Sequence, residues 1–369
     1  MLKRYKIRDY DFGMVICVLA LTIIGILAIG SAKESTQSSQ ILGFILGFFL
    51  MIVLSVFDYS FFLNFYWVIY LANLILLIGV EFFGRTVNNA QRWIVILGIQ
   101  FQPSETAKIM LILFYAQFIM KNKKSLNSLK TLFLSLVLLV PPLYLVYRQP
   151  DLKTTIMLAL IFCIMIFIGG LSVKIIFSVF AVLIPTAILF LSIVLQPDQN
   201  LIKEYQQTRI LAWLHPAEYA TTEGYQQTNA ITAIGSGQLF GKGLNNNIIS
   251  SVKNGNFISE PQTDFIFAVI GEELGFIGGC VVIVLLFLIT IKTLMIAKKS
   301  KDLAGTLICS GMAAIIGFQS FINISVATGI LPNTGVPLPF VSYGLTSLVS
   351  LFIGMGFVLN VRLQSSKKY

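Results

Sequence analysis

Apolar residues in this chain come in long unbroken runs, with little of the alternation or one-sided periodicity of soluble strands and helices. Runs long enough to cross a hydrocarbon core occupy residues 13–32, 39–57, 59–81, 104–120, 130–147, 152–171, 173–196, 264–291, 303–330 and 342–361, each near the roughly 20 residues that a spanning helix needs. The pattern predicts an all-α integral membrane protein, a polytopic bundle of about ten transmembrane helices forming a single domain over residues 1–369. The first run ends in Gly30-Ser31-Ala32, like a cleavable leader. It is too long for a leader's apolar region and more spans follow, so it reads as a retained anchor. One connection is out of scale: residues 197–263 separate the seventh and eighth spans, and a loop of that length in a compact protein is usually functional. Inside it, TNAITAIGSG (228–237) reads as a short helix lying on the membrane.

Composition agrees, with 56% hydrophobic and 11% charged residues and a mean hydropathy of +0.85, which excludes an ordinary water-soluble domain. A net charge of +10 in a soluble protein would point to nucleic acid. Here the basic residues fall between apolar runs and act as topology signals, so no nucleic-acid partner is expected. With the N-terminus inside, most lysines and arginines lie on the inner side, at 3–8, 121–130, 292–301 and 362–368, and most acids lie outside. Both termini are therefore expected in the cytoplasm and the long loop on the outer face. Four cysteines without a CxxC pair and a single histidine, His215, argue against a zinc site, a disulfide framework and a Ser-His-Asp triad.

Candidate chemistry gathers where lipid should not tolerate it. EPQTDFIFAVIGEELG (260–275) opens the eighth span with Asp264 and carries Glu272 and Glu273 about 12 Å deeper at helical rise; ionisable residues at such depth are functional by default. Asp264 has two readings, a helix cap or the acid of a site to which the long loop brings Glu260, Gln262, Thr263, Arg209 and Lys242. Glu105 and Lys108, three residues apart, share one helix face and form either a structural ion pair or a ligand-binding pair. Asp151, in RQPDLKT (148–154), caps the sixth span or acts in catalysis. The proline-rich stretch LPNTGVPLPFVSYGLTS (331–347) makes a stiff re-entrant connection, the wall of a cavity or a tight turn.

Together NAQRWI (89–94), QPSETAKI (102–109), QPDLKTT (149–155), GYQQTNAITAIGSGQLFGKGL (224–244), EPQTDFIFAVIGEELGFIG (260–278) and LPNTGVPLPFVSYG (331–344) resemble the RodA/FtsW/SpoVE family, the SEDS proteins of bacterial elongation, division and sporulation. The resemblance implies a peptidoglycan glycosyltransferase that polymerises lipid II at the outer face of the bacterial cytoplasmic membrane, beside a class B penicillin-binding protein that cross-links the strands. A RodA-like member acting in cell elongation is expected; the alternatives are a division or sporulation paralogue, a flippase for lipid-linked precursor, or a scaffold for the partner. By the same resemblance Asp264 is the essential carboxylate, and Glu105, Lys108, Asp151, Tyr225, Gln226 and Lys242 occupy motif positions. The chain departs from the pattern at Gln262, where many members have histidine, at Lys153, where PDLGT has glycine, and at Leu345 in place of the last glycine of SYGG. Glycosyl transfer from a lipid pyrophosphate needs a base and positive charge for the leaving group. Asp264 is the expected base for the acceptor's 4-hydroxyl. The expected charge is Arg209, Lys242, Lys108 or a divalent cation, magnesium or manganese, held by acids such as Asp264 and Glu260; no organic cofactor is expected.

Overall fold

All ten apolar runs fold as helices, because an internally hydrogen-bonded helix is the one open segment that lipid tolerates. The structure is a computed structural model and describes residues 9–87, 90–96, 98–196, 202, 204–245 and 257–365. The basic residues at 3–8 and 367–368 and much of the loop at 197–203 and 246–256 lie outside the described residues. The helices are α1 (Phe12–Ala32), α2 (Glu34–Val56), α3 (Tyr59–Asn64), α4 (Tyr66–Phe83), α5 (Pro103–Lys121), α6 (Leu129–Arg148), α7 (Leu152–Ile168), α8 (Val173–Val194), α9 (Glu204–Leu214), α10 (Tyr225–Ser236), α11 (Ile266–Lys298), α12 (Leu303–Ala327) and α13 (Leu345–Ser365). Among the described residues, eight of them (α1, α2, α4, α6, α8, α11, α12 and α13) are long and apolar enough to cross a membrane. The shorter α7 and the charged α5 account for the two remaining runs. The run at 59–81 is broken at Phe65 (φ −100°, ψ 24°), and Asp58 caps α3 by accepting from the Ser60 N–H at 2.9 Å.

Burial sorts the helices into layers. α5, α12 and α13 form the interior, and α12 carries Gly305, Ser310, Gly311, Ala313 and Ala314 among its buried positions. Small residues there let backbones approach where no hydrophobic force separates helix from lipid. The helix α8 stands at the other extreme, with none of its most apolar window buried against the protein.

One feature goes beyond an all-helical bundle. After α4 the chain forms a small antiparallel sheet, β1 (Arg85–Val87), β2 (Ala90–Ile96) and β3 (Ile99–Phe101), with β2 in the middle. Gly98, at φ 82°, makes its second turn. The β-branched residues Ile94, Val95, Ile96 and Ile99 carried that signal, but as a short apolar segment beside a span it is not separable from helix by pattern alone. The expected loop helix is α10, and it packs onto α11 and α12: Ala230 and Ala233 join Phe265, Ala268 and Val326 in a small core, and Gln227 Nε2 donates to the carbonyls of Val326 at 2.8 Å and Leu331 at 2.7 Å.

The long eighth span is two helices in series. Gly275 adopts φ 67°, ψ −166° within the first third of α11, and the chain segment after α10 fills the break. The Lys242 and Gly243 N–H groups donate to the carbonyls of Glu272 and Glu273, both at 2.9 Å, and the N–H groups of Phe276 and Ile277 donate to Gln238 and Leu239 at 2.8 and 3.2 Å. Irregular backbone is tolerated at this depth because protein satisfies it. The proline-rich segment 331–344 follows the same rule. Its Val336, Leu338, Phe340 and Val341 are buried, Asn323 donates to the Val336 carbonyl at 2.7 Å, and the Tyr343 N–H donates to the Gln262 carbonyl at 2.8 Å. It is an internal wall leaning on the turn that carries Asp264.

Candidate active site

Most acids that the sequence singled out are committed to partners. Asp151 is fully buried and caps α7: it accepts from the Thr154 N–H at 3.3 Å, the Thr154 hydroxyl at 2.9 Å, the Ser104 hydroxyl at 3.1 Å and Gln102 Nε2 at 3.3 Å. Glu105 and Lys108 make a buried ion pair at 2.8 Å on the first turns of α5. Glu260 meets Lys33 at 3.0 Å on the exposed rim and also accepts from Gln262. Glu272 holds Lys242 at 2.8 Å, and Glu273 accepts from the Ser31 hydroxyl of α1. The deep glutamates are thus the side-chain half of the same junction that seals the broken helix.

Asp264 differs from all of these. Phe265, not Asp264, occupies the cap position of α11, and no side chain caps that helix. Among the described residues no hydrogen bond or closed ion pair reaches the Asp264 carboxylate, although Asn323 Nδ2 holds its backbone carbonyl at 2.8 Å. The residue is half-buried ahead of the spanning helix. Burial pushes its carboxyl above the ordinary aspartate value; Lys153, Arg209 and Arg92 act against that rise and Asp151 adds to it. A carboxylate left uncommitted among cations ahead of a spanning helix is equipped to accept a proton beside an anionic ligand.

The loop residues expected around Asp264 separate into groups. Arg209, exposed on α9, faces it through space. Thr263 turns its hydroxyl to the Glu260 carbonyl at 2.8 Å, and its own carbonyl accepts from Ser342 at 2.6 Å. Gln262 is buried, and its Oε1 has no hydrogen-bond partner. Tyr225 is exposed and Gln226 half-buried at the start of α10. Lys242 and Lys108 are each held in an ion pair, with Glu272 and with Glu105. Two cations that face the acid, Lys153 and Arg92, were visible in the sequence only as neighbours of Asp151 and Glu105. Arg92 reaches from β2 to the carbonyls of Gln149, at 3.0 Å, and Pro150, so a sheet that the hydropathy pattern hid brings it there.

The expected divalent cation finds a poor fit. Among the described residues no group of three histidine, cysteine or acidic side chains converges. Glu260, named as its second ligand, is held by Lys33 and Gln262, and the charges nearest Asp264 are positive. That donor set suits an anion, and no step below runs through a metal.

Comparison with known proteins places this arrangement. The family described as Cell cycle protein, which spans FtsW, RodA and SpoVE, matches residues 7–367. The chain belongs to this family. Among FtsW/RodA/SpoVE relatives, the peptidoglycan glycosyltransferase MrdB of Escherichia coli (strain K12) is 36% identical over 354 residues, covering 95% of this chain and 93% of MrdB. The probable peptidoglycan glycosyltransferase FtsW of Bacillus subtilis (strain 168) is 33% identical, covering 98% and 92%. In three dimensions the chain resembles a member of a peptidoglycan synthase complex that coordinates polymerisation and crosslinking, with a TM-score of 0.77 at 28% identity over 97% of this chain and 99% of that one. It also resembles the rod shape determining protein RodA of Thermus thermophilus, with a TM-score of 0.66 at 26% identity over 96% of both chains. Near full-length similarity within the family supports the helical membrane bundle.

Proposed function

We infer that this multi-pass membrane protein is a peptidoglycan glycosyltransferase that polymerises lipid II into glycan strands, RodA-like in serving elongation, with both termini in the cytoplasm and the Asp264 rim on the outer face. The observation that carries the reading is the uncommitted carboxylate of Asp264 set among Arg209, Arg92 and Lys153. Near full-length similarity to MrdB supports the activity, and likeness to a chain of a synthase complex supports a cross-linking class B penicillin-binding protein as partner.

The chemistry divides between a base and an anion site. Asp264 takes the proton from the 4-hydroxyl of the acceptor sugar as its oxygen attacks the donor's anomeric carbon. The bond to the lipid pyrophosphate breaks, and the pyrophosphate leaves with its electron pair toward Arg209 and Arg92. A carboxylate raised by burial is a stronger base than an exposed one, and positioned proton transfer contributes about 10²–10⁴-fold. The leaving pyrophosphate is a stable anion, so a second acid is not required. A flippase would use acids at mid-depth from both sides, whereas Glu272 and Glu273 are tied to Lys242 and Ser31.

The test is polymerisation of labelled lipid II by the purified protein with its cross-linking partner. Asp264→Asn is expected to lower strand synthesis by at least about 100-fold while the protein stays folded and bound to the partner. Substantial polymer from that variant would overturn the assignment.

A further inference from the structure

One contact at the rim ties the start of α7 to the re-entrant segment. Lys153, which stands where PDLGT has glycine, is the second residue of α7, and its Nζ donates to the carbonyl of Gly335 in the re-entrant segment. Gly335 adopts φ 70°, and a Cβ placed on it would lie 2.9 Å from Asp264 Oδ2 and 3.6 Å from Lys153 Nζ. One backbone position therefore lies close to both the acid of α11's approach and the cation of α7. The remaining charged groups facing Asp264 are held in other ways. Arg92 from β2 is bonded to the carbonyls of Gln149 and Pro150, Arg209 faces it from α9, Asp151 is held by Ser104, Gln102 and Thr154, and Glu260 on the same turn is held by Lys33.

We propose that Lys153 is a positioning residue: by bonding the Gly335 carbonyl it pins segment 331–344 against Asp264, and it presents its ammonium to the carboxylate. The proposal rests on Asp264 being the base. A nearby opposite charge favours the ionised form of a carboxylate, and Lys153 is the largest of the charges acting against the burial of Asp264. Without it burial is less opposed, the carboxyl stays protonated to higher pH, and the acid limb of activity moves toward neutrality.

The experiment is a pH profile of kcat/KM for lipid II polymerisation by the full chain with its partner, comparing Lys153→Met, Lys153→Gly and Lys153→Arg with the unaltered protein. The Met and Gly variants are expected to move the acid limb up by about one pH unit or more, and Arg, which keeps the charge, to leave it near its original place. A limb unmoved in both neutral variants overturns the proposal. A second readout needs no activity: the pH midpoint of carbodiimide labelling at Asp264, followed by peptide mass spectrometry, is expected to rise in the same two variants. An unmoved midpoint overturns the proposal even if polymerisation is lost. Asp264→Asn separates the two claims. If it still makes polymer the base assignment fails, whereas an inactive Asp264→Asn with unmoved Lys153 midpoints removes only the role given to Lys153.

Discussion

At the scale of single residues, commitment separates the acids. An ionised group that is buried and unpaired costs stability, so evolution either gives it a partner or keeps it for chemistry. Among the described acids that the sequence singled out, Asp264 is the one whose carboxylate no hydrogen bond or ion pair reaches, and its raised carboxyl carries a sign. The folded state holds a proton that the unfolded state releases between the ordinary aspartate value and the raised one, so this group's contribution to stability falls as pH rises through that window. Asp264→Asn, neutral at every pH, is therefore expected to match or exceed the parent's thermal midpoint in detergent at neutral pH while losing activity. The acid limb of polymerisation by the unaltered protein should lie above the ordinary aspartate value of about 3.9. The Glu105–Lys108 pair has the opposite logic. Both side chains are nearly inaccessible, and removing one partner strands the other charge, at a cost of about 3–5 kcal/mol. Lys108→Met is thus expected to destabilise strongly, and Lys108→Met with Glu105→Gln to recover most of the loss, read by thermal unfolding of the solubilised variants. Recovered stability without recovered polymerisation would show that the pair also serves the ligand.

At the scale of elements, the broken helix α11 is the feature on which the outer site stands. Its upper half carries the turn of Asp264, and its break is filled by a loop segment whose N–H groups satisfy freed carbonyls. Gly275 is required there by two independent facts, its positive φ and the closeness of neighbouring backbone. A Cβ on it would meet Gly241 N at 2.3 Å and the Leu239 carbonyl oxygen at 2.7 Å. Gly275→Ala is expected to cost more than the roughly 1 kcal/mol of an ordinary glycine replacement, because two backbone segments must part. Limited proteolysis of the 237–243 segment, slow in the parent and fast in the variant, checks whether the loop is released.

At the scale of the whole molecule, charge bias and burial make separate predictions. In the proposed orientation, drawn from the lysine and arginine distribution, residue 124 lies inside and residue 223 outside. In whole cells an impermeant maleimide is expected to label Glu223→Cys and to spare Lys124→Cys, with the reverse pattern in inverted vesicles. The isolated helix α8 contributes almost nothing to the packed interior, so Phe177→Ala on its exposed side should change stability by no more than about 0.5 kcal/mol.

The sequence by itself determined that the ten apolar runs fold as helices, because lipid forces every apolar run of sufficient length to satisfy its own backbone, and that rule needs no knowledge of neighbours. It also singled out Asp264, Asp151 and the Glu105–Lys108 pair, since each is an ionisable group at a helix start or within one turn of its partner. Contacts between residues distant in the chain were decided only by tertiary structure. Lys242 looked like a cation for the rim until the fold carried it to Glu272, and Arg92 reached Asp264 only through a sheet whose apolar strand resembles part of a span. The break at Gly275 gives no pattern in hydropathy, because a glycine in a long apolar run reads as helix until a loop from elsewhere arrives to fill the gap. Local preference is written residue by residue along the chain, whereas which charges end up paired depends on where the whole bundle brings them.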